Sequence, residues 1–200
     1  VLEQLLRIYP GADVFALFDF LPDADRTRLG YERARTSFIQ RMPFARTRHR
    51  NYLPLMPLAI EQFDLSAYDL IISNSYAVAK GVLTGPDQLH VSYVHSPMRY
   101  AWDMQHTYLR ESGCEAGVKS LVARFILHRM RVWDFRTAAG PNAIVANSAF
   151  VARRIKKVYG RTAEVIHPPI RLSNQRFDGP RGNHFLVASR LVPYKNVEAV

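Results

Sequence analysis

Two cations stand five residues apart near the end of the chain. Arg190 follows the strand-like run HFLVAS, residues 184–189, and Lys195 opens KNVEAV, where a helical pattern begins. A strand, a short loop and a helix N-terminus together hold phosphate well, because backbone N–H groups and the helix dipole face the anion. Arginine offers a planar fork to phosphate oxygens, and lysine adds a mobile point charge. Two such cations suit a diphosphate, and Pro193 between them stiffens the loop. On spacing alone, a solvated loop with two ordinary charges is the simpler reading.

The second constellation is YVHSPMRYAWD, residues 93–103. His95 falls at the carboxyl end of an expected parallel strand, the place where open α/β sheets bind ligands. Ser96 and Pro97 then open a turn, and Arg99, Tyr100, Trp102 and Asp103 crowd the next residues. Aromatic faces pack on sugar rings, and a carboxylate accepts from hydroxyls. The competing reading is a structural histidine beside an aromatic cluster of the core.

Three further features carry charge. Arg41, Arg46, Arg48 and Arg50, with His49, make a basic patch around Pro43. It reads either as a solvated loop or as a dock for an anionic lipid-linked acceptor or membrane surface. In the long helix expected over residues 117–139, a wheel puts Val122, Phe125, Ile126, Met130 and Trp133 on one side and Arg124 and Arg131 opposite. Arg129 and Arg136 then fall within the apolar half, so they are expected to be buried and to need acidic partners or a ligand. Finally, Asn147 and Ser148 sit where a strand runs into a helix and read as an N-cap.

The elements that must position these groups alternate. Helices are expected over residues 1–9, in part of 31–43, at SYAVAKGV (75–82), over 117–139 and at FVARRIKKVYG (150–160), the last capped by Gly160. Strands are expected at 13–18, 68–74, 90–95, 143–148 and in AEVIHPP (163–169). Such alternation implies a parallel sheet covered on both faces. RLSNQRFDGPRGN, residues 171–183, is polar and reads as a linker before a new strand at His184. The chain begins with Val1 inside a helical pattern and ends with a helix barely started, so it is expected to be an internal fragment.

Composition bounds the rest. A chain of 200 residues with 48% hydrophobic content is globular, and its formal charge of +10 favours polyanions, anionic membranes or phosphorylated ligands. No apolar run approaches the roughly 18 residues of a membrane span. The single Cys114 rules out an internal disulfide and a cysteine-based zinc site, and makes a reducing cytoplasm the default location. No G-x-G-x-x-G, P-loop, G-x-S-x-G or H-E-x-x-H motif occurs, nor a plausible metal-ligand cluster.

Several strings taken together resemble one family. SRLVPYKN (189–196) resembles the start of the C-terminal domain of the retaining glycosyltransferases of family 4, which have the two-domain GT-B fold and the pattern [GS]-R-L-x-x-x-K-[GN]. HSPMRYAWD (95–103) and TSFIQRMP…YLPLMPLAIEQFDLSAYDLIISNS (36–75) are similar to its mannosyltransferase-like branch, and residues 144–169 to its last N-domain strand and helix. The resemblance implies an α/β chain of GT-B architecture: residues 1–167 as a Rossmann-like, acceptor-side domain lacking its first strand, 168–183 as linker, and 184–200 as the start of a Rossmann-like nucleotide-sugar-binding domain. It implies transfer of a hexose, with mannose the candidate in that branch, from a nucleoside-diphosphate sugar to a polysaccharide or lipid-linked glycan with retention of configuration. Arg190 and Lys195 would hold the donor diphosphate and stabilise the leaving nucleotide. His95 would lie by the donor sugar, with Arg99, Tyr100 and Asp103 in substrate binding. No metal or other cofactor is expected, and the location implied is cytoplasmic, peripheral on the inner face of the cell membrane.

The family's glycine-rich loop would precede Val1 and its E-x7-E pair would follow Val200, so the fragment alone is expected to fold poorly and to be inactive. Two rival readings are a basic nucleic-acid-binding module, for which no motif is present, and a GT-B nucleotide-sugar epimerase, against which HSPMRYAWD argues.

Overall fold

A computed structural model describes residues 1–170 together with Gly182, Asn183 and Ala188. Arg190, Lys195 and the strand and helix expected around them lie outside the described residues. The chain divides into two units, Val1–Pro169 and Ile170–Val200.

The first unit is mixed α/β. Helix α1 (Leu2–Ile8) leads to strand β1 (Phe15–Ala16), helix α2 (Asp23–Leu29) and strand β2 (Arg35–Thr36). Short helices α3 (Ala45–Arg48) and α4 (Met56–Glu61) follow. Then come β3 (Leu70–Ser75), β4 (Leu89–Val94), α5 (Gln105–Glu111), α6 (Gly117–Thr137), β5 (Ala143–Ala146), α7 (Ala149–Tyr159) and β6 (Glu164–Val165). All described strand pairs are parallel: β1 with β2 in one sheet, and β3-β4-β5-β6 in chain order in another.

Strand β5 (AIVA) is wholly apolar, whereas β3 (LIISNS) and β4 (LHVSYV) mix polar with apolar residues. Three of the buried polar residues, Ser73, His90 and Ser92, bond one another. Ser73 and Ser92 are register partners, and the Ser73 hydroxyl donates to Ser92 Oγ at 2.9 Å. The fully buried His90 lies with its Nε2 2.9 Å from the same Ser73 oxygen. Since the Ser73 proton is committed to Ser92, His90 Nε2–H is the donor in that contact.

Local signals set the ends of α7. Ser148 caps it, its hydroxyl accepting from Val151 N at 3.2 Å, and Gly160 closes it in the left-handed region at φ 70°. The apolar face of α7 (Val151, Ile155, Tyr159) packs on Val94, Ile144 and Ala146 of the sheet. A second apolar cluster joins α6 (Leu127, Met130) to Ile39, Met56, Ile60, Met98 and Ala101. Burial of each large side chain here contributes about 1.5–3 kcal/mol.

Two expectations are corrected and one is narrowed. The helix expected at 75–82 shrinks to a single 3-10 turn, Ala79–Gly81. Its residues are used for close packing instead: a Cβ on Gly81 would lie 2.3 Å from Trp133 Cζ2, and Lys80 is buried. Over residues 31–43 the helical part is the 3-10 turn Phe38–Arg41, because Arg35 and Thr36 are taken by β2, where Arg35 N bonds Val14 O at 2.8 Å. The third concerns α6, which is apolar on both faces, so a wheel alone has no unique inward side. It buries Ser120, Leu127, Met130 and Asp134, while Phe125 is 63% exposed and Val122 is exposed too. Arg129 and Arg136 are exposed rather than buried, and need no acidic partner. Arg131, expected to face solvent, is half-buried and donates to Ala101 O at 2.7 Å and to Gln105.

No helix among the described residues is long and apolar enough to cross a membrane.

Candidate functional site

Parallel strands in register end in register. Ser75, Val94, Ala146 and Val165 form one row across the four-stranded sheet. The residues just beyond that row converge at the carboxyl edge, where every strand leaves backbone groups to be satisfied by loops. His95 N donates to Ser75 O at 2.9 Å, and Ile166 N to Ala146 O at 3.0 Å.

His95 stands one residue past β4. Its Nε2 lies 2.7 Å from Asn74 Oδ1, at the end of β3. An amide oxygen accepts, so Nε2 carries the proton and Nδ1 keeps its lone pair. On the other side Asn147 Nδ2 donates to His95 O at 3.1 Å. Asn147 is held in turn by the Ser148 hydroxyl, which donates to its Oδ1 at 3.1 Å. His167 Nδ1 lies 3.2 Å from Asn147 O and is therefore the protonated nitrogen of that ring. The Tyr93 ring meets His95 edge-on at 5.4 Å, and its hydroxyl donates to Ile166 O at 2.9 Å. His95, half-buried, has its pKa lowered by burial, so the ring is neutral near pH 7. The edge thus presents a neutral imidazole in a fixed tautomer, two asparagines and a second histidine: hydrogen-bonding groups of the kind that bind polyhydroxylated or amide-bearing ligands.

The segment after His95 is a coil of turns, with Met98 and Ala101 buried as its anchors. Its polar side chains point to different partners. Asp103 is engaged by Arg154 of α7 in a two-pronged pair, Oδ1 to Nη2 at 2.6 Å and Oδ2 to Nη1. Those hydrogen bonds, from a guanidinium, hold the Asp103 carboxyl below its ordinary range. A groove of about 390 Å³ runs beside this pair, lined in part by Trp102, Phe150, Arg153 and Lys157. Tyr100 stacks edge-on to Tyr108 at 6.2 Å. Its hydroxyl is buried with no hydrogen-bond partner among the described residues, and burial, then the Asp134 carboxylate, pushes its pKa up. Arg99 donates to Met104 Sδ. The structure therefore brings His95 together with Asn74, Asn147 and His167, while the contacts of Tyr100 and Asp103 run elsewhere.

Behind the edge lies a buried polar centre. The Asp134 carboxylate accepts from Trp102 Nε1 at 2.8 Å and from Tyr159 Oη at 3.0 Å, and Lys80 Nζ is 2.6 Å from its Oδ1. Lys80 also donates to Thr137 Oγ1 at 2.9 Å and lies over the Trp133 and Tyr159 rings. Burial lowers the Lys80 pKa, and Asp134 opposes that shift. The Tyr159 hydroxyl is pushed up by burial first and by Asp134 second. This centre joins Trp102 of the HSPMRYAWD segment to the β3–β4 connection, α6 and α7, so it fixes the segment that follows His95.

Sequence reading missed Asn74, His167, Lys80, Asp134 and Arg154. Asn74 ends an apolar strand, and Lys80 and Asp134 each interrupt an apolar run, AVAKGV and VWDF. A charge inside such a run is the available signal, but it does not name the partner. No family model, curated protein or solved structure matches the chain.

Proposed function

We propose that the chain is the acceptor-side part of a retaining GT-B glycosyltransferase that moves a hexose from a nucleoside-diphosphate sugar to a glycan or lipid-linked acceptor. The observation that carries this reading is His95 at the carboxyl edge of a parallel sheet, its Nε2 proton given to Asn74 and its Nδ1 left as an acceptor. A neutral imidazole so held accepts from a sugar hydroxyl without placing a positive charge beside the donor. The resemblance of HSPMRYAWD and SRLVPYKN to the family supports the same reading. Parallel α/β layering supports it more coarsely.

In this reading the bond from the anomeric carbon to the diphosphate breaks, and a bond to the acceptor oxygen forms on the same face. Negative charge grows on the departing diphosphate. Arg190 and Lys195 oppose that charge, and cations held in place stabilise a transition state more than a ground state in which the charge is still spread. His95 positions the sugar, and Arg99, Tyr100 and Asp103 belong to the substrate-binding segment.

The test is transfer of labelled hexose from uridine- and guanosine-diphosphate donors by the polypeptide of the complete reading frame. Transfer with retained anomeric configuration is expected, falling by about a hundredfold or more in Lys195→Ala. Absence of donor binding, combined with salt-sensitive DNA binding, would overturn this reading in favour of a nucleic-acid module.

A further inference from the structure

Helix α7 has two working sides. Val151, Ile155 and Tyr159 are buried against the sheet. Phe150, Arg153, Arg154, Lys157 and Val158 recur at three- and four-residue steps and so share another side. With Trp102 and Asp103 they line the groove of about 390 Å³ beside the Asp103–Arg154 pair. From Phe150 to Val158 the groove follows the helix for about 12 Å, at 1.5 Å per residue. Its walls are fixed. Trp102 Nε1 is held by Asp134 at 2.8 Å, and both Asp103 oxygens are taken by Arg154. Phe150 is 60% exposed, with the Arg153 and Arg154 guanidinium carbons 5.9 and 5.8 Å from its ring centroid. Arg153 and Lys157, one turn apart, are exposed and have no acidic partner among the described residues. The helix itself carries no acidic residue.

We infer that this groove docks an acidic, extended peptide segment of a partner protein, with carboxylates on Arg153 and Lys157 and an apolar side chain against Phe150, Trp102 and Val158. Three observations favour that occupant. The free charges along the groove are cationic, and its one carboxylate is already spent on Arg154, so the complement is an anion. The groove is elongated and apolar between those charges, and its length holds about three or four residues of extended chain at about 3.3 Å each. Aromatic and arginine side chains on fixed walls are the usual anchors of a protein contact, and walls already in place lower the cost of ordering on binding. Nucleic acid fits less well: a duplex does not enter a groove of this size, and the exposed Phe150 ring has guanidinium groups over it in place of an open face for a base. A second copy would bring a net charge of +10 towards the same cations. Residues 171–200 of the chain are themselves basic and complement the groove no better. This inference does not depend on the reaction proposed above. It also concerns a different surface from the Arg41–Arg50 patch.

Fluorescence anisotropy of a labelled peptide with the intact chain tests it. The probe carries leucine and phenylalanine between glutamates. Binding is expected at low salt and should weaken as salt rises, since the cations it meets are exposed. A probe with glutamine in place of glutamate should not bind. Arg153→Glu with Lys157→Glu should weaken binding about tenfold or more, and Phe150→Ala about fivefold. All three positions are exposed, so circular dichroism should show these variants folded like the parent chain. Failure of the acidic probe to bind would overturn the inference. So would binding that plain polyglutamate matches and Phe150→Ala leaves unchanged, which assigns contact to net charge alone. Displacement of the probe by oligouridylate of equal charge would give the groove to RNA instead, and a dimer that the glutamate variants dissociate would give it to a second copy; either result overturns the inference.

Discussion

Lys80 Nζ lies 2.6 Å from Asp134 Oδ1, and both side chains are closed off from water. The two residues come from the β3–β4 connection and from α6, fifty-four positions apart. Their environments are unequal. Asp134 keeps two neutral donors, Trp102 and Tyr159, besides the lysine. Lys80 has a hydroxyl and two aromatic faces besides the carboxylate. Breaking a buried pair from one side costs about 3–5 kcal/mol, because an uncompensated charge stays behind. Asp134→Asn should therefore cost more than Lys80→Met, since the carboxylate left by the second variant retains donors or protonates. Urea unfolding of both variants measures the order. The reverse order would mean that Trp102 and Tyr159 contribute little to holding the carboxylate.

What was legible in the sequence, and what was not, follows from the range of each signal. The cap of α7 by Ser148 and its closure by Gly160 are local rules, readable from adjacent residues. The runs that became β3, β4 and β5 hold enough Leu, Ile, Val and Tyr to be read as strands without partners. His95 at a strand end follows from the strand itself. Its link to Asn74 depends on which strands are neighbours and in what register, and no single stretch states that. The Lys80–Asp134 pair is hidden for the same reason. Helix α6 misled because apolar residues cover both of its sides, so periodicity alone does not say which half meets the core. The turn at 79–81 misled in the opposite sense: a helix-forming composition was overridden by the contact between Gly81 and Trp133.

That contact is itself open to test. A Cβ on Gly81 would lie 2.3 Å from Cζ2 and 2.4 Å from Cη2 of Trp133, well inside van der Waals distance. The indole cannot yield easily, since its Nε1 donates to Glu61 Oε1 at 2.6 Å. Gly81→Ala should cost about 1–3 kcal/mol as overpacking does, and should shift Trp133 emission. An unchanged spectrum and melting temperature would show that the loop moves away without cost.

His90 makes stability depend on pH. Its ring is fully buried, and burial lowers its pKa to about 4. In the unfolded chain the ring titrates near 6.5, so between those two values the unfolded state binds the extra proton. Stability from this group is therefore complete above about pH 6.5 and is lost as pH falls towards 4. The loss is on the order of 3 kcal/mol. Denaturant midpoints at about pH 7.5 and about pH 5 should differ by clearly more in the parent chain than in His90→Gln. Glutamine keeps a donor for Ser73 and does not titrate, so equal pH sensitivity in the two proteins would remove His90 as the cause.

The tautomer of His95 carries the proposed chemistry, and Asn74 sets it. With Asn74 Oδ1 at 2.7 Å from Nε2, the proton resides on Nε2 and the ring titrates below the ordinary histidine value. Asn74→Asp puts a carboxylate in the same position. It would favour the imidazolium and raise the His95 pKa by about one unit or more. Asn74→Leu would remove the acceptor and free the ring to take either tautomer. Nitrogen-15 spectra of the ring read both changes directly: a protonated Nε2 in the parent chain, the same with a raised titration in the aspartate variant, and a mixture in the leucine variant. In a transfer assay the acid limb of the pH profile should move upward with Asn74→Asp, because the protonated ring has lost the Nδ1 lone pair that the proposed reaction uses to accept a sugar hydroxyl. If the spectra show a protonated Nδ1 in the parent chain, Asn74 is not the acceptor. The orientation of its amide, and the role given to His95, must then be reversed.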